Sequence, residues 1–123
     1  MLSKPLLVAA GILGFSGVAL GAFGAHALKA ALAATGGVDT WKTAVLYHLI
    51  HAVAVLALSS SPQPASRKIG GCWIAGVVLF SGSLYALALG GPKFLGPITP
   101  LGGVAFLIGW AWLAVSAWKQ PAA

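Results

Sequence analysis

The stretch YHLIH, residues 47–51, places Tyr47, His48 and His51 inside an otherwise apolar run. Histidines three apart share a helix face, and Tyr47 and His51, four apart, can also meet. Three chemistries are open to such a group. Neutral imidazoles can bridge neighbouring helices through hydrogen bonds, worth ~0.6 kcal/mol on average in a membrane. Two titrating imidazoles can pass protons, since the ordinary histidine pKa of ~6.5 lies near neutral pH. Imidazole nitrogens can also hold Zn, Cu, Fe or Ni. A second stretch, FSGSLY at residues 80–85, adds Ser81, Ser83 and Tyr85, with Ser81 and Tyr85 four apart. Its serines can bond back to their own helical turn or join the histidines in one polar cluster.

A three-histidine metal site fits poorly. Counted from Trp41 at ~1.5 Å per residue, His48 lies ~10 Å and His51 ~15 Å along the helix, whereas His26 belongs near the membrane face where that helix starts. Metal–nitrogen bonds of ~2.0–2.1 Å leave no slack for such a spread. No cysteine or carboxylate completes a ligand set, so neither metal nor cofactor is expected. Enzymatic chemistry is equally poorly supported. The chain has no paired carboxylates, no nucleophile–base–acid constellation and no phosphate-cradling G-x-x-x-x-G-K-[ST] loop. Cys72 stands alone among apolar neighbours, where cysteine acts as inert packing. No catalytic residue is assigned.

The elements that must position these groups can be read from the charges. Of 123 residues, 59% are hydrophobic and 7% charged, against about 25% charged in an ordinary soluble domain. The charged residues are Lys4, Lys29, Asp39, Lys42, Arg67, Lys68, Lys93 and Lys119. They leave four charge-free windows, 5–28, 43–66, 69–92 and 94–118, of 24, 24, 24 and 25 residues. A transmembrane helix needs about 20 mostly apolar residues, and within hydrocarbon the backbone must satisfy its own hydrogen bonds. The chain therefore reads as one all-α transmembrane domain over 1–123, an up-down-up-down four-helix bundle with helices at about 5–27, 41–58, 70–89 and 99–118. Ala25-His26-Ala27 imitates a signal-peptide cleavage site, but the preceding apolar stretch exceeds the ~7–15 residues of a signal core, so the first helix is expected to be retained. The net charge of +6 is scattered over connections and ends, which suits headgroup anchoring rather than nucleic acid.

Gly14, Gly17, Gly21 and Gly24 recur on one face of the first helix. Small residues let membrane helices approach closely, so this helix is expected at the centre of the bundle. The same faces permit a homo-oligomer or a membrane-protein partner. Asp39 or Thr40 is expected to cap the second helix, Trp73 to mark an interface, and Thr99 with Pro100 to start the fourth helix. An even number of spans puts both termini on one side. That side holds Lys4, Arg67, Lys68 and Lys119 against Lys29, Lys42 and Lys93 opposite, a bias that places the termini in the cytoplasm.

The stretches GAFGAHAL, WKTAVLYHLIHAVAVL, FSGSLYALAL and GPITPLGGVAFLIGWAW resemble domain-of-unknown-function family 423, which includes the eukaryotic transmembrane protein 256. The matching positions are Gly21, Gly24, His26, Trp41, Tyr47, His48, His51, Ser81, Gly82, Ser83, Tyr85, Thr99, Pro100, Gly102, Gly103 and Trp110. The resemblance implies a small four-helix protein of the bacterial inner membrane and no assigned activity. His26, Tyr47, His48, His51, Ser81, Ser83 and Tyr85 form the expected polar seam, with the first two helices contributing to it. A structural or accessory membrane protein is the leading expectation. A proton-coupled transporter or channel using His48 and His51, or a metal or cofactor binder, is the alternative.

Overall fold

A computed structural model describes residues 2–121. Five α-helices are found among them: α1 (Lys4–Ala25), the short α2 (Lys29–Thr35), α3 (Val38–Leu58), α4 (Ser66–Ala88, with a π-helical turn inside it) and α5 (Ile98–Lys119), the last preceded by a 3-10 turn at Lys93–Leu95. The four long ones are long and apolar enough to cross a bilayer. Each packs antiparallel to the next. Trp41 meets Gly24 and His48 meets Gly17 between α1 and α3, Ser81 meets Ala44 between α3 and α4, and Phe80 meets Gly102 between α4 and α5.

Local chemistry sets the ends. The Ser3 hydroxyl caps α1 by accepting from the Leu6 N–H at 3.5 Å, and Pro5 sits in the first turn, where no N–H is needed. Gly36 ends α2 in the left-handed region, at φ 71°, which costs glycine nothing. α3 begins at Val38, with Gly37 in the cap position and no side-chain cap. The expected capping by Asp39 or Thr40 is thus corrected: both residues lie inside the first turn. α5 likewise begins at Ile98 after Pro97, so Thr99 is a helical residue whose hydroxyl faces Ser83.

The order of packing also differs from expectation. The first helix does not occupy the centre. α1 lies almost wholly on α3, α5 lies on α4, and α3 and α4 form the middle of the bundle. Trp73, expected at an interface, is 1% exposed and sits in the core with Leu13, Val55 and Phe106.

Both outer helices are seated by one device. On α3, Trp41 and His48 are seven residues apart and pack on Gly24 and Gly17 of α1. On α4, Trp73 and Phe80 are seven apart and pack on Gly109 and Gly102 of α5. At Gly24 and Gly109 an indole ring lies over bare backbone, at Gly17 the His48 ring does so beside Leu49, and at Gly102 the contact is the Phe80 backbone itself, so the antiparallel neighbours approach closely at these points. The expectation for α1 holds at Gly17, Gly21 and Gly24, where an added Cβ would meet α3. It is corrected at Gly14, where an added Cβ meets nothing within 4 Å.

α4 is not a uniform helix. Val77–Ser81 form a π-helical turn. Such a turn holds an extra residue and changes the direction in which later side chains point. Ser81 is thereby turned toward α3 and fully buried, while Ser83 faces α5.

Candidate functional site: a histidine network in the membrane

His48 and His51 are both buried, at 4% and 3% exposure. They are residues 11 and 14 of the 21 in α3, which places them near the middle of the span. They do not share one environment. A step of three residues turns a helix by about 300°, leaving the two rings ~60° apart. That difference sends them to different neighbours.

His48 bridges three helices. Its Nδ1 lies 2.8 Å from the Tyr85 hydroxyl of α4, and its Nε2 lies 3.1 Å from Ser16 Oγ of α1. Ser16 Oγ is itself 2.8 Å from the Ile12 carbonyl. A carbonyl only accepts, so the Ser16 hydrogen goes to Ile12. The Nε2–H of His48 then donates to Ser16 Oγ, and the Tyr85 O–H donates to the bare Nδ1. This assignment leaves every donor with an acceptor. The reverse tautomer would leave the Tyr85 hydrogen without one.

His51 carries the opposite tautomer. Its Nδ1 is 2.7 Å from the Tyr47 carbonyl, which requires the hydrogen on Nδ1. Its Nε2 is then bare and accepts from Trp110 Nε1–H of α5 at 3.0 Å. The imidazole stacks on Phe106, with centroids 3.7 Å apart and planes 11° apart. It meets Trp73 and Trp110 edge-on. A second hydrogen on His51 would aim two N–H donors at each other, so this arrangement accommodates only the neutral ring.

The other expected seam residues lie around these two centres rather than in one line. Ser81 Oγ donates to the Ala44 carbonyl at 2.8 Å, a buried tie between α4 and α3. Ser83 and Thr99 hydroxyls are 2.5 Å apart, tying α4 to α5. Tyr47 is 40% exposed. Its ring packs on Phe80, centroids 4.8 Å apart, and its hydroxyl makes no hydrogen bond among the described residues. His26 is exposed at the end of α1, outside the network. The expected single seam of His26, Tyr47, His48, His51, Ser81, Ser83 and Tyr85 divides into two networks that involve all four spans. α1 supplies Ser16 only.

Sequence reasoning missed Ser16 and used Trp110 only as a position of resemblance. Ser16 carries a weak signal, being a polar residue in the middle of the first apolar window. The Ala44 and Ile12 carbonyls carry none, because any residue would supply them.

The two tyrosines give a matched test. Tyr85→Phe removes the donor to His48 and is expected to cost about 0.6–1.7 kcal/mol, the range of interhelical hydrogen bonds in membranes. Tyr47→Phe removes a hydroxyl without a partner and should leave the melting temperature in detergent unchanged. Equal shifts would contradict the hydrogen-bond assignment at His48.

Ligand geometry for a metal is not assembled. No group of three or more His, Cys, Asp or Glu side chains comes together among the described residues. Both nitrogens of each buried histidine already face protein groups.

The chain matches the family described as "Protein of unknown function (DUF423)" over residues 20–103. It is 42% identical to the UPF0382 membrane protein YwdK of Bacillus subtilis, over 94% of this chain and 98% of the relative. It is 43% identical to a UPF0382 membrane protein of Haemophilus influenzae, over 87% and 88%. It is 42% identical to the UPF0382 inner membrane protein YgdD of Escherichia coli, over 95% and 92%. No solved structure matches.

Proposed function

The chain belongs to the DUF423 family, the UPF0382 membrane proteins, and from that premise we propose a non-enzymatic structural or accessory role for it in the inner membrane. It is a multi-pass inner-membrane protein with a buried histidine hydrogen-bond network. On the proposed reading that network holds the bundle in one shape, and the termini face the cytoplasm. The protein acts through its lipid-embedded surface, alone, as a homo-oligomer or beside another membrane protein.

One observation carries the proposal. Each ring nitrogen of His48 and His51 has a protein partner at 2.7–3.1 Å, in tautomers that satisfy every donor in the chain of bonds. A histidine that passes protons must release its ring nitrogens to exchange partners. His51 lines a cleft of about 410 Å³, but both of its nitrogens are taken, by the Tyr47 carbonyl and the Trp110 indole, and His48 is held between Tyr85 and Ser16. A titrating His51 would first have to break from Trp110.

The rival is proton-coupled transport through the same histidines, and a flux measurement separates the two. Protein reconstituted into liposomes under a pH gradient is expected to show no proton or cation flux above empty liposomes. A flux present in the native protein and absent in a His48→Asn variant that folds normally would overturn the structural role.

A further inference from the structure

The end of the bundle beneath α2 holds a cavity that the histidine network does not use. It measures about 320 Å³ and opens sideways between α1 and α3. Its α1 wall is backbone at Gly21 and Gly24, its α3 wall is Trp41, Val45 and Leu49, and Leu32 of α2 closes the top. Leu32 is 2% exposed and anchored among Trp41, Ala88 and Tyr85. The Thr35 hydroxyl, at the end of α2, donates to the Ala88 carbonyl at 2.5 Å. The roof is therefore fixed to both α3 and α4. One charged side chain lines this otherwise apolar slot: Lys42, in the second turn of α3 at the membrane face. Three further clefts of about 210–410 Å³ between the helices have no charged residue in their walls.

We propose that this slot is a binding site for one anionic phospholipid, with an acyl chain lying in the cleft between α1 and α3 and the headgroup phosphate on Lys42. The occupant must be amphiphilic, because the walls are apolar and the mouth is cationic. It must be anionic, because the one charged side chain in the wall is the cationic Lys42. Gly21 and Gly24 are covered by Val45 and Trp41, so the acyl chain lies in the cleft beside them.

The test is native mass spectrometry of the full chain in mild detergent, with added phosphatidylglycerol or phosphatidylcholine. One phosphatidylglycerol is expected to be retained in preference to phosphatidylcholine. Lys42→Gln should weaken retention about fivefold, the equivalent of ~1 kcal/mol for one lysine beside an anionic headgroup. Lys93→Gln removes a charge on the same face but outside the slot and should change nothing. Ala25→Trp, at an exposed position lining the slot, should fill it and abolish retention while the helical circular dichroism and melting temperature hold. Equal retention of the two lipids would overturn the proposal. So would equal losses from the two lysine variants, or undiminished binding in Ala25→Trp. A lipid-free dimer that Ala25→Trp dissociates would assign the slot to a second copy of the chain instead.

Discussion

Gly102→Ala is expected to destabilise the bundle by about 3 kcal/mol, the upper part of the usual range for overpacking, although alanine is the better helix former by ~1 kcal/mol. The reason is the main chain that the new methyl would strike. A Cβ at Gly102 would come within 2.7 Å of Phe80 Cα and closer still to its backbone nitrogen. Phe80 lies in the π-helical turn of α4, so the obstacle is backbone held in its own hydrogen bonds. It is not a side chain that can swing aside. α4 and α5 must separate, and that separation strains the Ser83–Thr99 bond and the seat of Trp73 on Gly109 in the same interface. Two controls isolate the effect. Gly103→Ala places its Cβ 3.9 Å from the Phe80 ring, an ordinary contact. Gly14→Ala meets nothing within 4 Å. Both should melt in detergent at or slightly above the native temperature. If Gly102→Ala melted with them, α4 and α5 would not be seated backbone to backbone.

The four spans were legible because charge is the one property hydrocarbon does not tolerate. Eight charged residues in 123 mark out four windows of helix length almost unaided. The ends were less legible. α4 starts at Ser66 and takes Arg67 and Lys68 into its first turn, since long basic side chains at a helix end can reach the headgroups while their backbone stays helical. The pairing of bulky residues with glycines was hidden for another reason. It joins Gly17 and Gly24 to residues later in the chain, but Gly102 and Gly109 to residues earlier in it. No repeat in chain order records that relation. The division of His48 from His51 depends on which helices flank α3, a fact absent from the spacing within α3. Once α1 and α4 lie on one side and the side chains of α5 reach the other, a ~60° difference in direction sends one ring to Tyr85 and its neighbour to Trp110.

His51→Ala should cost about 2–3 kcal/mol, and most of that loss should come from packing rather than from the hydrogen bond. Truncating a buried aromatic to alanine costs 3–5 kcal/mol in soluble proteins. In a bilayer the transfer part largely disappears, because lipid tails are as apolar as the core. The remaining loss is the contact of the imidazole with Phe106 at 3.7 Å and with the edges of Trp73 and Trp110. To that is added the Trp110 N–H left without an acceptor, at about 0.6–1.7 kcal/mol. His51→Phe separates the two contributions. It keeps a flat ring over Phe106 and removes the acceptor for Trp110 and the Nδ1–H donor within α3 to the Tyr47 carbonyl, so its interhelical loss should be limited to that smaller figure. The Trp110 indole proton resonance should shift in both variants, reporting the broken bond independently of stability. Equal losses in the two variants would make the hydrogen bond the main tie. No loss in either would leave His51 free for proton or ligand chemistry and would remove the chief support for a structural role. The expected order sets alanine well below phenylalanine, and phenylalanine slightly below native. That order requires His51 to join helices within the membrane chiefly by its face, beside His48, which does so by its two hydrogen bonds.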